Sequence, residues 1–157
     1  SNDYKGPNGE DPAFPDHCVK GTSGWLKVEG TLPPRFRCVP NVPQLDTDVL
    51  ARELRSGENL GLYFEKEVYS LFANPNAESV LREVARDLDL ELIVFGVATD
   101  YCVRAAALGL AERGYRTLLL EDAVRGITAE GTRKALEEIR DAGVRITTSA
   151  ELLTGFF

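Results

Sequence analysis

The chain has 157 residues, a formal net charge of −7, a hydrophobic fraction of 43% and a charged fraction of 27%. These values predict one globular domain that is large enough to bury a hydrophobic core. The acidic balance argues against a nucleic-acid partner, because no basic stripe is available to neutralise phosphates. The sequence contains no run of about 18 apolar residues, which is the length that a membrane span needs. A membrane is therefore not expected as a partner either.

The first 43 residues are rich in Gly, Pro and Asn, which predicts long ordered loops. From Leu45 onward, runs with strand character alternate with runs whose apolar residues recur at helical spacing. The predicted elements, in chain order, are a helix over 46–55, a strand within 59–66, a helix over 74–89, a strand over 90–97, a helix from about 100 to 113, a strand over 115–122, a helix over 128–143, a strand over 144–149 and a short helix from 149.

This alternation predicts a doubly wound α/β fold, in which one parallel sheet carries helices on both faces. The run "LELIVFGV" over 90–97 is continuously apolar, so we expect its strand to be covered on both faces. Such sheets bind ligands beyond the carboxyl ends of their strands. We expect the functional residues at that edge of a single domain over 1–157.

The three cysteines are odd in number and irregularly spaced, so they do not predict a disulfide framework. A reducing cytoplasm is the expected compartment. The single histidine, His17, excludes a site built from several histidines, although it leaves a Cys–His pair open if the two side chains meet in space. Adjacent residues seldom point to one side of the chain, so Cys18 is predicted to be structural, and Cys38 is predicted to be buried.

The stretch "GVATDYC" places Cys102 where a strand runs into a helix. Thr99 or Asp100 is expected to cap that helix, with Cys102 in its first turn. Free amides and the positive helix dipole would favour the thiolate there, and the same amides could hold an oxyanion. A small residue that packs at a tight strand–helix junction is the alternative, and this stretch alone leaves both interpretations open.

Lys66 ends a strand-like run and is followed by a loop. A cation at that place would favour the thiolate form of a nearby cysteine. The alternative is a solvated lysine beside Glu65 and Glu67, and the residues alone do not decide between the two.

Three segments in order resemble the cysteine hydrolases of the nicotinamidase and isochorismatase superfamily. The segments are "FPDHCVKGTSG" (14–24), "KEVYSLF" (66–72) and "GVATDYCVRAAALGLAERGY" (96–115), and the likeness continues in "LLEDAVRGI" (119–127). The resemblance extends over nearly the whole chain. It favours the nucleophile interpretation of the cysteine segment over the packing interpretation.

The resemblance implies a role for each matching residue. Cys102 would attack the substrate carbonyl and form a thioester, while Lys66 would help to keep its sulfur anionic. The backbone amides of Ala98 and Cys102 would form an oxyanion hole, and the Val97–Ala98 peptide would be cis. Phe14, Tyr69 and Tyr101 match positions that line the substrate pocket in the family.

The implied reaction is hydrolysis of a small amide, with nicotinamide giving nicotinic acid and ammonia as the first substrate to test. A ureido or carbamoyl compound is the alternative substrate class. A homo-oligomer is expected because family members often form dimers or tetramers. A non-catalytic family member that binds a small molecule or a protein, and a peroxide-sensing thiol, are alternatives of other classes.

The chain departs from the family pattern at the catalytic aspartate, which the family carries on its first strand. The opening residues, "SNDYKGPNGED", resemble the loop after the second strand instead. We therefore expect a strand–helix–strand portion to be missing from this sequence, so that the domain is incomplete at its amino end and Cys102 lacks its base.

A second departure concerns the divalent metal, such as zinc, that nicotinamidases usually bind. Asp3 and His17 match two ligand positions, but Lys5 stands where a histidine is expected. A lysine ammonium is not a ligand and repels a cation. Glu10 or Asp11 could add oxygen ligands, yet a strong site is not expected. Lys5 could instead bind a substrate carboxylate, and the departure questions nicotinamide more than the chemistry.

Overall fold

A computed structural model describes residues 17–28, 30–43, 46–56 and 60–155. The elements in chain order are β1 (Arg35–Val39), α1 (Thr47–Arg55), β2 (Leu60–Phe64), α2 (Ala77–Ala85), β3 (Glu91–Val97), α3 (Arg104–Glu112), β4 (Arg116–Arg125), α4 (Ala129–Asp141), β5 (Arg145–Thr147) and α5 (Ser149–Thr154). Short 3-10 turns occur at Ser23–Trp25 and Leu71–Ala73, and a π-helical turn lies at Thr99–Val103. No helix in these ranges is long and apolar enough to cross a membrane.

The strands form two parallel sheets, with the orders β1–β2 and β3–β4–β5. The parallel pairing and the intervening helices confirm the predicted α/β class. Within the described residues the sheet is divided in two, between β2 and β3, rather than continuous. Within them, β2 pairs only with β1, and β3 pairs only with β4, so each strand keeps one free edge.

Each sheet has its own apolar core. In the first, Val39, Leu50 and Val80 are buried where α1 and α2 cover β1 and β2. In the second, Leu119 and Ile139 are fully buried where α3 and α4 pack on the larger sheet. Apolar burial of this kind is the main stabilising contribution in both parts.

The two parts are joined by a contact between the 3-10 turn before α2 and the helix α3. The Arg113 guanidinium lies 3.7 Å from the centre of the Phe72 ring, and its Nε donates to Glu78 at 3.1 Å. The Phe72 ring also packs on Gly109, where a Cβ would approach to within 2.7 Å of the ring. We call these four residues the joint.

Two buried asparagines fasten the carboxyl ends of β1 and β2 to the start of α2. The side-chain amide of Asn74 donates to the carbonyls of Val39 at 3.1 Å and Glu65 at 2.8 Å. Asn76 donates to the carbonyls of Pro40 and Val42. These side chains satisfy carbonyls beyond the strands, as buried backbone groups require. Because the asparagines serve this purpose, α2 begins at Ala77 rather than at residue 74.

Four predictions are corrected by the structure. The strand β1 lies in the segment that was expected to be loop, and α2 ends at Ala85, which leaves Leu88 outside the helix and exposed. The strand β3 is not covered on both faces, since Phe95 is 68% exposed, and nothing in the described ranges covers that side chain fully. Cys38, which was expected to be buried, is also exposed.

Candidate active site

Lys66 and Cys102 meet although they follow strands of different sheets. Lys66 stands two residues beyond the end of β2, and Cys102 stands five residues beyond the end of β3. The Lys66 Nζ lies 3.6 Å from the Cys102 Sγ and also donates to the Val68 carbonyl at 3.0 Å. An ammonium at this distance favours a negatively charged sulfur. Lys66 is itself exposed, as the solvated-lysine alternative held, and it contacts the sulfur in addition.

Glu65, which precedes Lys66, pairs with Lys20 and not with the cysteine. Its carboxylate accepts a 2.7 Å hydrogen bond from Lys20, and this bond and charge raise the pKa of the Lys20 ammonium. The pair ties the segment that carries His17 and Cys18 to the end of β2. Because Glu65 is engaged with Lys20, Lys66 is left to face the cysteine.

Cys102 lies in the π-helical turn Thr99–Val103, which we call the cysteine turn. The prediction of the first turn of an α-helix is corrected, because α3 begins only at Arg104. The amides of Tyr101 and Val103 both donate to the Ala98 carbonyl at 3.1 Å. Cys102 is half-buried, and in the described part of the chain its hydrogen-bond partner is Lys66. The predicted cis Val97–Ala98 peptide is confirmed.

Neither Thr99 nor Asp100 caps the helix that follows, contrary to expectation. Thr99 is fully buried. The Asp100 carboxylate instead accepts backbone hydrogen bonds from Ile127 and Thr128, which precede α4. Sequence reasoning missed this long-range role, because the only available signal was the local capping preference of aspartate.

An aromatic side chain of the cysteine turn contacts one from the loop after β2. The rings of Tyr69 and Tyr101 have their centres 5.1 Å apart at an interplanar angle of 59°. In the sequence, Tyr69 follows Lys66 by three residues and Tyr101 immediately precedes Cys102. Phe14, the third predicted pocket residue, lies outside the described residues.

The metal prediction is only partly accessible. Of the predicted ligands, Asp3 lies outside the described residues, as do Lys5, Glu10 and Asp11, whereas His17 is described and exposed. In the ranges that the structure describes, no three His, Cys, Asp or Glu side chains are grouped to hold a metal ion. The described residues alone therefore provide no metal site.

Comparison with known proteins places this geometry in context. Residues 46–151 match the family described as the isochorismatase domain. The nicotinamidase/pyrazinamidase of Mycobacterium tuberculosis is 30% identical over 138 residues, which are 88% of this chain and 64% of that protein. The nicotinamidase of Escherichia coli is 29% identical over 143 residues, covering 88% of this chain and 59% of that protein.

Solved structures give a consistent result. The pyrazinamidase of Pyrococcus horikoshii in complex with zinc superposes with a TM-score of 0.57 at 29% identity, covering 86% of this chain and 63% of that one. The nicotinamidase/pyrazinamidase of Bacillus subtilis, at 24% identity and a TM-score of 0.58, supports the fold. The chain spans less than two thirds of the length of each of these relatives.

Proposed function

This chain belongs to the isochorismatase family, and we propose that it hydrolyses the C–N bond of a small amide through a thioester on Cys102. The observation that carries the proposal is the 3.6 Å approach of the Lys66 Nζ to the Cys102 Sγ. A cysteine held beside a fixed cation has the environment of a nucleophile rather than of an inert packing residue.

The proposed reaction begins with attack of the Cys102 thiolate on the amide carbonyl carbon. A C–S bond forms, the carbonyl electron pair moves to oxygen, and the backbone amides of Ala98 and Cys102 stabilise that oxyanion. The C–N bond then breaks, and the amine leaves with the proton that the thiol gave up. Water attacks the thioester, which releases the acid and restores the thiol. Lys66 supports the negative charge on sulfur at both stages.

A base that accepts the thiol proton completes the proposal. We propose an aspartate on a strand that lies along the free edge of β3. An apolar groove runs along that edge, and an apolar strand would suit it. Its lining residues are Leu71, Leu81, Leu92–Phe95, Ala106 and Leu110. Because the chain covers 64% or less of the two curated relatives, we propose that this strand belongs to the same polypeptide outside residues 1–157.

Nicotinamide is the proposed first substrate, and a ureido or carbamoyl compound is the alternative. The similarity to the nicotinamidase/pyrazinamidase of M. tuberculosis and the nicotinamidase of E. coli supports nicotinamide. The Tyr69 and Tyr101 rings support an aromatic amide, because a planar ring could stack beside them. The proposal includes a reducing cytoplasm, which suits three free cysteines, and a homo-oligomeric state.

A non-catalytic binding protein is the second candidate function. Lys5 at the expected histidine position favours it, because a weakened metal site removes one aid to substrate orientation. The contact between Lys66 and Cys102 opposes it, because a protein that only binds ligands has no use for a cation-stabilised thiolate.

Ammonia release from nicotinamide by the full-length protein tests the proposal. Activity is expected in the wild type and absent in Cys102→Ala, while Cys38→Ala, which alters an exposed cysteine, keeps wild-type activity. EDTA is expected to change the rate by less than about twofold, because Lys5 repels a cation. Ammonia release from ureido or carbamoyl amides, without release from nicotinamide, would assign the enzyme to the alternative substrate class. Release that survives Cys102→Ala would overturn the thioester mechanism.

A further inference from the structure

The Asp100 carboxylate accepts hydrogen bonds from backbone amides at the amino end of α4 rather than from its own segment. Its Oδ1 accepts from the Ile127 amide at 3.0 Å, and its Oδ2 accepts from the Ile127 and Thr128 amides at 3.3 Å each. Thr128 is the N-cap of α4, and its own hydroxyl accepts from the Gly131 amide at 3.0 Å. Asp100 therefore occupies a nest of backbone donors at the positive end of a 13-residue helix.

Gly131 provides the room for this carboxylate. A Cβ at this position would lie 2.6 Å from the Asp100 Oδ2 and 2.7 Å from the Thr128 hydroxyl. Glycine is among the poorest helix formers, so a glycine in the first turn of α4 is unfavourable for the helix itself. Its presence is explained by the close approach of Asp100.

The negative charge of Asp100 lies close in the sequence to the Cys102 sulfur. The residue stands two positions before Cys102 in the cysteine turn, and an unpaired carboxylate there would disfavour a thiolate through repulsion. Hydrogen bonds from two amides, together with the helix dipole, offset that charge. The same bonds fasten the cysteine turn to α4, so the carboxylate can hold the turn at little electrostatic cost to the sulfur.

We propose that Asp100 is a positioning residue that anchors the cysteine turn on the amino end of α4 and so holds the Cys102 Sγ within reach of Lys66. The proposal rests on the proposed function for its catalytic meaning. Its geometry does not depend on the identity of the substrate, because the contacts lie between the cysteine turn and α4 alone.

The test is the pH dependence of Cys102 alkylation by iodoacetamide in the full-length protein, followed by peptide mass spectrometry. Loss of the anchor in Asp100→Ala is expected to raise the pH at which Cys102 alkylation is half-maximal (the pH midpoint) and to slow alkylation at neutral pH, because the sulfur is no longer held beside Lys66. Asp100→Asn is expected to fall between Asp100→Ala and the wild type, because one oxygen still accepts. Gly131→Ala should share the defect without any change of charge, because its Cβ displaces the carboxylate.

A purely electrostatic role gives the opposite sign. If Asp100 acts only through its charge, both substitutions lower the pH midpoint and Gly131→Ala leaves it unchanged, and this result would overturn the proposal. Should Asp100→Ala fail to fold, Asp100→Asn and Gly131→Ala still decide the sign. The readout needs no substrate, so an absence of ammonia release with these shifts intact counts against the proposed function and not against the anchor.

Asp46→Asn is the matched control. Asp46 also accepts a helical amide, from Val49 at 3.1 Å, but it caps α1 in the smaller sheet. This variant is expected to lower the denaturation midpoint and to leave the Cys102 alkylation profile unchanged. An equal shift of the Cys102 alkylation profile in Asp46→Asn would mean that general destabilisation causes the shift, and it would overturn the proposal. Alkylation of the exposed Cys38 in each sample corrects for the intrinsic pH dependence of the reagent.

Discussion

The two sheets are packed to different degrees, and the candidate site takes one reactive side chain from each. In the larger sheet, β4 buries four successive residues, 117–120, and α4 runs for 13 residues beside it. In the smaller sheet, Val39 is the buried residue of β1, and every residue of β2 is only half-buried. Cys102 follows the well-packed sheet, whereas Lys66 follows the less packed one.

From this difference we infer that the proposed nucleophile, Cys102, and the proposed supporting cation, Lys66, are held in place by different contacts. The cysteine turn is fixed by its own backbone bonds and by Asp100 on α4. Lys66 depends on Asn74, which holds the end of β2, and on the joint that links the two sheets. We expect substitutions near Cys102 to act on the chemistry directly, and substitutions at the joint to act by changing the distance between Lys66 and Cys102.

The largest expected effect is that of Cys102→Ala, which removes the nucleophile from the well-packed sheet. Ammonia release should fall by at least about a thousandfold, as expected when a covalent step is lost. Because the site is only half-buried, the fold should survive, and the far-UV circular dichroism should match the wild type. A loss of less than about tenfold would show that the sulfur does not carry the reaction.

Lys66→Met removes the contribution of the smaller sheet while keeping most of the side-chain length. The turnover rate should fall about a hundredfold, which is typical for the loss of one preorganised electrostatic group. The matched control is Lys20→Met, which breaks an exposed ion pair with Glu65 and should change turnover by less than about twofold. Equal losses in the two variants would mean that net charge at this edge, rather than contact with the sulfur, is responsible.

Gly109→Ala tests the joint itself. Alanine normally favours a helix over glycine by about 1 kcal/mol, but here its Cβ would meet the Phe72 ring at 2.7 Å. We expect overpacking to prevail and the free energy of unfolding to fall by about 1–2 kcal/mol in urea titrations. Gly24→Ala is the control, because its Cβ would meet only the Thr22 hydroxyl at 3.8 Å. A more stable Gly109→Ala variant would mean that the joint yields readily and does not set the lysine position.

The smallest expected effect lies at the start of α5, far from the joint. The hydroxyl and the amide of Ser149 donate to Asp122 and hold the pKa of that carboxyl below its ordinary value. A lowered pKa stabilises the fold above the ordinary pKa, and this contribution is lost as the pH falls through the lowered value. Asp122→Asn should therefore lower the urea midpoint slightly at neutral pH and have no effect once Asp122 is protonated. A difference that is unchanged below the lowered pKa would contradict this account.

The sequence predicts the larger sheet better than the smaller one. The run over 90–97 was interpreted as continuously apolar, and the run over 115–122 has an apolar centre of three leucines, 118–120; both strands form. The strand β1 was missed because its alternation of arginines with Phe36 and Cys38 is short and lies in a proline-rich segment. The segment becomes a strand by pairing with β2. The exposure of Phe95 could not be foreseen, because an apolar run predicts burial of both faces and does not report whether the described elements cover each of them.

The site shows the same limit. The resemblance identified Lys66 and Cys102, but 36 positions separate them, and no local pattern predicts their contact. Asp100 was predicted to cap its own helix, whereas it reaches Ile127 and Thr128 across the sheet edge. The local capping preference of aspartate correctly predicted that the Asp100 carboxylate accepts hydrogen bonds from backbone amides at the start of a helix. The helix is α4, however, and not the one that follows Asp100 in the sequence. Long-range contacts of this kind follow from the order of the strands rather than from neighbouring residues.

The most direct test of the account is to trap the proposed thioester. The full-length protein is mixed with nicotinamide, quenched in acid within a single turnover and digested, and the cysteine peptides are analysed by mass spectrometry. A thioester on Cys102 predicts a nicotinoyl adduct on the peptide that carries Cys102 and none on those with Cys18 or Cys38. Ammonia release without any adduct on Cys102, or an adduct on another cysteine, would contradict it.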